Sequence, residues 1–397
     1  MNHFSQRIEQ LVLQRESLGL LRDQNERPIE GPQTASVTID GKVFLNFASN
    51  GYLGISHHPK IVQAFKHELD VSGSSSSASR LVTGNSPVIQ SLERELADFK
   101  GTEAALLMTN GYQANLGILD AIGRLYRRAK EDLVIFSDQL NHASIIDGCR
   151  QSGADLVIYP HRDTAFLEKA LIAHEGVNKV IVTESRFSMD GDIAPLQKLV
   201  ELKKKFNAGL VVDEAHATGI DADGRGLVHK FGLTADTDII IGTLGKAFGT
   251  HGAFIAANAT TIRWLSNFAR TFVYSTALPS AMAAATRASL RVIIDERPFE
   301  RLTENIHYLR KALNKAGLGF LVSTDADGPI LPIIVGTPKR ALDIQSFLET
   351  RGILVVAIRP PTVPEGTSRI RLSLRADHTK EHLDKLVQTL SEFTDDN

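Results

Sequence analysis

Short apolar runs alternate with longer amphipathic stretches through the central part of the chain. From about residue 100 these runs are rich in β-branched residues: "AALLMT", "LVIFSD", "ADLVIYP", "KVIVTES", "GLVVDEA", "TDIIIGTLG" and "GAFIAA". Runs of this kind are typical of parallel strands that are covered by helices on both faces. We therefore predict an α/β fold, with a large doubly wound domain and a mostly parallel sheet over residues 56–290.

The pattern changes after "RVIIDERPFER". A helix, the run "PILPIIVG", a second helix, the runs "ILVVAIRP" and "SRIRLSLRA", and a last helix predict a small C-terminal α+β domain over residues 291–397. Residues 1–55 form a predicted arm of one helix and extended segments. The apolar positions at its start have helical spacing and predict an amphipathic helix that packs on the protein body: Phe4, Ile8, Leu11 and Val12.

Composition excludes few functions but favours an ordinary globular protein. Of the 397 residues, 43% are hydrophobic and 23% are charged, and the formal net charge is -2. This balance does not favour a nucleic-acid partner. The N-terminus lacks the apolar core of a signal peptide, and no apolar run is long enough to cross a bilayer. The single cysteine, Cys149, is consistent with a reducing cytoplasm, where we expect the protein to be located.

Several polar residues follow the predicted strands at their carboxyl ends, where a parallel sheet collects its ligands. Asp213 and His216 follow one strand, and Lys246 follows another within the Gly-flanked turn "GTLGKAFG". Other strand ends deliver further candidates to the same edge: Gly111, Tyr112, His142, Ser188 and Thr243. Gly111 and Tyr112 open a predicted helix, whose free backbone N–H groups suit a phosphate.

The letters "DEAH" at residues 213–216 are also those of a helicase acidic box. A helicase needs a phosphate loop of the form G-x-x-x-x-G-K-[ST], and none is present; in "GTLGKAFG" the residue after Lys246 is Ala247. A metal site is also disfavoured, because the chain has no HExxH motif and no pair of cysteines. We therefore expect no metal cofactor.

Lys246 is the most informative of these residues. A lysine that is partly desolvated in such a turn has a lowered pKa and is suited to bind an aldehyde covalently. Taken alone, it is more simply explained by pairing with a nearby carboxylate. Together with Asp213 on another strand end, it makes a site for pyridoxal phosphate (PLP) plausible, because a carboxylate would keep the pyridine nitrogen protonated.

The chain resembles the α-oxoamine synthases, which are fold-type-I PLP-dependent enzymes. Matching stretches follow the family's order over about residues 46–378: "NGYLGISHHP", "SRLVTGNS", "TNGYQAN", "NHASIIDG", "TESRFSMDGDIAPL", "VDEAHATGIDADGRG", "TLGKAFG", "YSTALP" and "RPPTVPEGTSRIRLSL". The resemblance implies the fold-type-I transferase architecture and PLP as the cofactor. It also implies a homodimer with active sites at the subunit interface.

The resemblance implies roles for individual residues in cofactor binding and catalysis. Lys246 would carry the cofactor and remove the α-proton of the amino acid. Asp213 would hold the pyridine nitrogen, His216 would contact the phenolic oxygen, and His142 would stack on the ring. The remaining cofactor contacts would come from Ser188 and Thr243 and, at the phosphate, Gly111 and Tyr112.

Further implied roles concern the substrate and the partner subunit. Arg371 would hold the carboxylate of the amino acid, and Thr362 and Arg22 would contact the substrate, as would His142. Ser275 or Thr276 would reach the phosphate bound in the partner subunit.

Simpler interpretations of several residues stay open at this point. His142 has the position of a helix cap that is satisfied by backbone, Ser188 of a turn cap, and Arg22 of a solvated charged face. The strand "RIRLSL" contains both Arg369 and Arg371, and we expect one of the two to face outward.

The resemblance also implies an activity. "SRLVTGNS" and "AIRPPTVPEGTSRIRLSL" are most similar to the family member that condenses L-alanine with a pimeloyl thioester, carried by CoA or acyl carrier protein, in biotin synthesis. Two alternatives remain: another member of the family, such as a glycine C-acetyltransferase, or a cofactor-free binding protein on the same fold. Gly51 and the Ser-rich segment 72–79 depart from the pattern, and both flank the expected substrate entrance.

Overall fold

The computed structural model describes residues 2–17, 21, 28–321 and 325–395. The helices are α1 (His3–Ser17), α2 (Pro59–Ser72), α3 (Pro87–Lys100), α4 (Gly111–Ala129), α5 (Ala143–Ser152), α6 (Thr164–Ala173), α7 (Leu196–Phe206), α8 (Leu227–Lys230), α9 (Ala259–Phe268), α10 (Arg270–Val273), α11 (Ser280–Glu296), α12 (Pro298–Lys315), α13 (Pro338–Thr350) and α14 (Lys380–Asp395). The strands are β1 (Ser36–Ile39), β2 (Lys42–Asn46), β3 (Ala104–Met108), β4 (Leu133–Asp138), β5 (Asp155–Tyr159), β6 (Asn178–Glu184), β7 (Gly209–Asp213), β8 (Ile239–Thr243), β9 (Ala253–Ala257), β10 (Ile330–Gly336), β11 (Ile353–Leu354), β12 (Val356–Ile358) and β13 (Ser368–Ser373).

The central sheet is formed by the seven predicted strands. Their order is β3-β9-β8-β7-β6-β4-β5. The strands from β8 to β5 are parallel to one another, and β9 is antiparallel to both of its neighbours. Each face of this sheet is covered by its own apolar core. The predicted fold class, with a mostly parallel sheet buried on both faces, is confirmed.

Two three-stranded sheets complete the described part of the chain. One has the antiparallel order β10-β13-β12, and the other has the order β1-β2-β11. The arm strand β2 pairs in parallel with β11, so the segment before α2 joins the C-terminal part of the protein. The run "ILVVAIRP" divides at Val355, which lies between β11 in one sheet and β12 in the other.

The predicted N-terminal helix forms, but its predicted packing on the protein body is wrong. None of the residues of α1 is buried, and the side chain of Phe4 is 73% exposed. Helical spacing shows that one side of a helix is apolar, but it does not show which surface covers that side.

The expectation that one of Arg369 and Arg371 faces outward is also wrong. Both side chains are buried, and both reach the segment Ser188–Asp190 from strand β13. The physical reason is the pleat of the strand: residues two positions apart point to the same face. Among the described residues, no helix is long and apolar enough to span a bilayer.

Candidate active site

A cavity of about 310 Å³ opens at the carboxyl ends of the parallel strands. Asp213 ends β7, Thr243 ends β8, and Gly111 begins α4, so three elements meet at this edge of the sheet. The cavity lining includes seven of the residues selected from the sequence: Gly111, Tyr112, His142, Asp213, His216, Thr243 and Lys246. The sheet therefore gathers these candidates around one space.

Asp213 lies buried at the base of this cavity. Its Oδ2 accepts a hydrogen bond from Nδ2 of Asn115 at 2.8 Å, and its Oδ1 accepts one from the backbone N–H of Ala215 at 2.8 Å. Two donors hold the carboxylate in one orientation, which leaves it positioned to hold a cation or a protonated ring nitrogen in the cavity.

Lys246 contributes the amine of the site. Burial lowers the pKa of this lysine, and the nearby carboxylates of Asp213 and Glu184 oppose that shift. A lowered pKa increases the fraction of neutral amine, which is the form able to attack an aldehyde or to accept a proton.

His216 is held in the neutral form beside the amine. Burial is the main cause that lowers the pKa of this histidine well below its ordinary value, and the charge of Lys246 adds to it. Its Nδ1 lies 2.7 Å from the hydroxyl of Tyr52, a buried residue that the sequence did not single out. A neutral imidazole carries one N–H group, so it can donate one hydrogen bond into the cavity.

Glu184 is a second residue that sequence reasoning missed. This buried carboxyl lines the cavity next to Asp213, and the two residues are in register on neighbouring strands. Burial, with a contribution from the charge of Asp213, raises the pKa of Glu184 to about 8. Its Oε1 has no hydrogen-bond partner among the described residues. The sequence could have indicated Glu184 by its position, because it is the last residue of β6 and thus lies at a strand end, as Asp213 and Thr243 do.

The N-terminus of α4 closes another side of the cavity. The side chain of Asn110 caps this helix by accepting from the backbone N–H of Gln113 at 2.9 Å. A Cβ atom at Gly111 would lie 2.7 Å from Cγ2 of Thr243, so only glycine lets the helix start this close to β8. The free N–H groups of a helix start, together with the helix dipole, favour an anion at this point.

His142 connects this cavity with a larger one. It is the N-cap of α5, where its Nδ1 accepts from the backbone N–H of Ser144 at 3.2 Å, so the helix-cap interpretation is confirmed, and its ring also lines the first cavity. Burial lowers its pKa, while the charge of Asp213 raises it. Its ring meets the ring of Tyr112 edge-on, with 6.5 Å between the centroids.

The second cavity has a volume of about 560 Å³ and also contains His142 in its lining. Ser188 and Thr362 line this cavity and are absent from the lining of the first, although Ser188 was expected at the cofactor. Most of the other walls are apolar: Leu140, Ile146, Phe187, Met189, Pro361, Val363 and Pro364. The arrangement suits an extended apolar group whose reactive end points to His142.

Arg371 lines neither cavity, but it bonds to Ser188 in the wall of the second and to Tyr52, the neighbour of His216. Its Nε donates to the backbone oxygen of Ser188 at 2.7 Å, and its Nη2 donates to the hydroxyl of Tyr52 at 3.2 Å. The guanidinium is buried, so a carboxylate that reached it would be strongly attracted. Arg22, the other predicted substrate contact, lies outside the described residues.

Thr276 is not part of either cavity. It pairs with Ser79 in an isolated β-bridge, and together with Ser275 and Arg80 it lines a separate small pocket. Within one chain the structure therefore does not bring Thr276 to the cofactor cavity, and its expected contact with a partner subunit's phosphate stays a prediction.

The donor set of the first cavity fits PLP. An anion site at the start of α4, an amine at Lys246 and a fixed carboxylate at Asp213 match the phosphate, the aldehyde and the ring nitrogen of that cofactor. Buried polar atoms without partners among the described residues, Oδ1 of Asn115 and Oε1 of Glu184, show that the walls have hydrogen-bonding capacity left for a polar ligand.

Comparisons with known proteins agree with this chemistry. The family model described as "Aminotransferase class I and II" matches residues 42–390. An 8-amino-7-oxononanoate synthase of Methylococcus capsulatus is 44% identical over 369 residues, which cover 92% of this chain and 93% of that protein.

Two solved structures of enzymes are similar to this chain over most of its length. A serine palmitoyltransferase variant from S. paucimobilis, solved with bound PLP and myriocin, superimposes with a TM-score of 0.89 at 28% identity and covers 99% of this chain and 98% of that one. An 8-amino-7-oxononanoate synthase from Francisella tularensis gives a TM-score of 0.74 at 27% identity, covering 89% of this chain and 98% of that one.

Proposed function

The chain belongs to the class I and II aminotransferase family and, within it, to the α-oxoamine synthases, and from this premise we propose its substrates. It is a PLP-dependent acyltransferase. We propose that it condenses L-alanine with a pimeloyl thioester of CoA or acyl carrier protein in biotin biosynthesis. The products are 8-amino-7-oxononanoate, CO2 and the free thiol, and the proposed location is the cytoplasm.

One observation carries this proposal: the cofactor cavity and the larger, mostly apolar cavity share His142. A decarboxylative condensation needs an amino acid and an acyl thioester side by side. The apolar cavity suits the acyl chain, and His142 lies where the thioester carbonyl would meet the amino acid. The identity of 44% with a named 8-amino-7-oxononanoate synthase supports pimeloyl and alanine as the pair.

The reaction consumes one proton from solvent: the thiol leaves protonated and the α-carbon regains a proton after CO2 is lost, whereas only one α-proton is removed. A C–C bond forms between the α-carbon of the amino acid and the thioester carbonyl, and the C–S bond breaks. The bond from the α-carbon to the carboxylate then breaks and CO2 leaves. The bound cofactor supplies an electron sink that stabilises negative charge at the α-carbon.

The residues of the chain perform the remaining work. Nζ of Lys246 removes the α-proton, and its lowered pKa favours the neutral amine that this step requires. Asp213 would hold a proton at the ring nitrogen of the cofactor, and His216 would donate to its phenolic oxygen. Arg371 would bind the carboxylate of the amino acid until it is lost, and His142, which lines both cavities, would contact the ring.

The proposal includes a homodimer. Thr276 and Ser275 lie away from the cofactor cavity of their own chain, as expected for residues that serve a partner subunit. Large apolar side chains near this point are exposed in the single chain: Leu81, Val82 and Tyr274. A subunit interface would bury them.

The decisive test is thiol release by the PLP-loaded protein with matched substrate pairs. Pimeloyl-CoA and acetyl-CoA are each offered with L-alanine and with glycine, and palmitoyl-CoA is offered with L-serine because of the serine palmitoyltransferase likeness. The proposal expects release from pimeloyl-CoA with alanine. Release confined to acetyl-CoA with glycine, or to palmitoyl-CoA with serine, contradicts the substrates but keeps the family. A protein that takes up no PLP contradicts the cofactor site itself.

A further inference from the structure

The hydroxyl of Tyr52 lies between two residues of the site that have separate roles. Its oxygen is 2.7 Å from Nδ1 of His216, 3.2 Å from Nη2 of Arg371 and 3.1 Å from Oδ1 of Asn50. The side chain is completely buried in the turn after β2. A backbone hydrogen bond holds the turn in place: the backbone carbonyl oxygen of Tyr52 accepts from the N–H of Ala376 at 2.7 Å.

The chemistry of these groups gives the bonds a direction. A guanidinium only donates, so Arg371 donates to the oxygen of Tyr52. The phenol has a single proton and two candidate acceptors, Nδ1 of His216 at 2.7 Å and Oδ1 of Asn50 at 3.1 Å, and we assign the proton to the shorter contact, the one to His216. His216 must then accept at Nδ1, and the single proton of its neutral ring lies on Nε2.

Burial and the charges around His216 keep its ring neutral, so the ring carries a single N–H proton. Burial is the main cause of its lowered pKa, and the positive or protonatable groups that face it oppose a second proton: Lys246, Arg371, His142 and Arg186. His216 lines the cofactor cavity, and Nε2 is the ring nitrogen that Tyr52 does not occupy.

We propose that Tyr52 is a positioning residue that fixes the proton of His216 on Nε2. Held by Arg371, the Tyr52 hydroxyl makes His216 a permanent donor to the phenolic oxygen of the cofactor. The inference rests on the proposed function only in placing PLP in this cavity. Tyr52 also connects Arg371, which is proposed to bind the substrate carboxylate, with His216, which is proposed to contact the phenolic oxygen of the cofactor.

The test is a pH titration of the visible absorption band of the PLP-loaded protein, without substrate. A donor to the phenolic oxygen stabilises its ionised form, so loss of a fixed donor raises the titration midpoint. Tyr52→Phe keeps the ring and removes the hydroxyl, and we expect the midpoint to rise by about half a pH unit to one pH unit. Tyr159→Phe is the matched control, because Tyr159 is equally buried but is absent from the cavity lining. Its midpoint should equal that of the wild type.

A double-mutant cycle separates positioning from a general structural effect. His216→Ala should raise the midpoint, and Tyr52→Phe should add nothing in that background, because Tyr52 acts through His216. No shift in Tyr52→Phe, or a shift that adds in full to that of His216→Ala, overturns the proposal.

A measurement on the wild type decides the matter if Tyr52→Phe does not fold. In ¹⁵N-histidine-labelled, PLP-loaded protein, the signals lost in His216→Ala identify this ring. We expect Nδ1 without a proton and Nε2 with one, and the opposite pattern overturns the proposal. Failure of thiol release with a normal titration contradicts the substrates alone, whereas a wild type that takes up no PLP overturns both proposals.

Discussion

Lys100 and Glu214 form a buried ion pair behind the active-site strand β7, with Nζ of Lys100 2.5 Å from Oε2 of Glu214. The other oxygen of Glu214 accepts from the backbone N–H of Val228 at 2.8 Å. Asp213, one residue earlier, faces the cofactor cavity instead. Adjacent side chains at the end of β7 point in opposite directions, so in "DEAH" Asp213 serves the cofactor cavity and Glu214 serves the stability of the core.

The ion pair predicts a large loss of stability when one partner loses its charge. Glu214→Gln keeps the size of the side chain but leaves Lys100 charged and unpaired in the core. We expect the free energy of unfolding to fall by about 3–5 kcal/mol, measured by urea denaturation. Glu296→Gln is the control, because Glu296 pairs with Lys60 at the surface and should leave the unfolding midpoint near that of the wild type. Equal midpoints for the two variants would contradict the assignment.

Lys246→Ala removes the amine of the cofactor cavity. We expect it to retain PLP without covalent attachment and to lose thiol release, because no other described side chain of the cavity is placed to carry both roles. Borohydride treatment followed by mass measurement of the chain tests the attachment. Lys203→Ala, in which the lost lysine pairs with Asp238 away from the cavity, should behave as the wild type. Full activity in Lys246→Ala would disprove the proposed mechanism.

Arg371→Gln removes the buried charge proposed to hold the amino-acid carboxylate. A charge-assisted hydrogen bond of this kind corresponds to a rise of about tenfold to a hundredfold in the KM for L-alanine. The KM for the thioester should rise less than the KM for L-alanine, since Arg371 contacts the acyl cavity only through the backbone oxygen of Ser188. Arg351→Gln, at a surface ion pair with Glu392 in the same part of the chain, is the control. An unchanged alanine KM in Arg371→Gln would assign the carboxylate to another residue.

His161 predicts a stability change in mildly alkaline solution. Burial alone would lower its pKa, but hydrogen bonds to Asp138 and Asp192 outweigh burial and raise the pKa from 6.5 to about 9. Because the folded value lies above the unfolded one, this stabilisation is complete below pH 6.5 and is lost as pH rises through 9. After allowance for solvent screening of this partly exposed ring, we expect a loss of about 1 kcal/mol.

Urea unfolding at several pH values measures this change. His161→Gln should lack the decline between pH 6.5 and 9, and the control His174→Gln, outside the acidic cluster, should retain it. A wild type whose stability does not fall over this range would show that His161 is not held in the charged form.

Some features of the site were predictable from the chain alone. Every apolar run from "AALLMT" to "GAFIAA" became a strand of the central sheet, because β-branched runs bounded by helices have few other stable arrangements. Asp213, Thr243 and Lys246 meet in one cavity for a related reason: the carboxyl ends of parallel strands share an edge.

Other features depend on contacts between distant parts of the chain. Glu184 and Tyr52 were missed because a buried carboxyl or phenol gives no local signal of what it faces. The departure at Gly51 is related to packing rather than to a cavity wall, since a Cβ atom there would lie 2.9 Å from Nη1 of Arg375. Sequence alone offered no way to foresee that contact across more than 300 residues.

Periodicity and strand-end chemistry in the sequence by themselves determined the sheet, its helices and most of the candidate residues for the cofactor. Only the tertiary structure decided which way each of them faces: that Ser188 lines the second cavity, that both Arg369 and Arg371 point inward, and that Tyr52 contacts His216. The physical reason is the distance along the chain between the groups that determine each property. Secondary structure follows from neighbours in the chain, whereas burial, hydrogen-bond direction and pKa depend on groups brought together by folding.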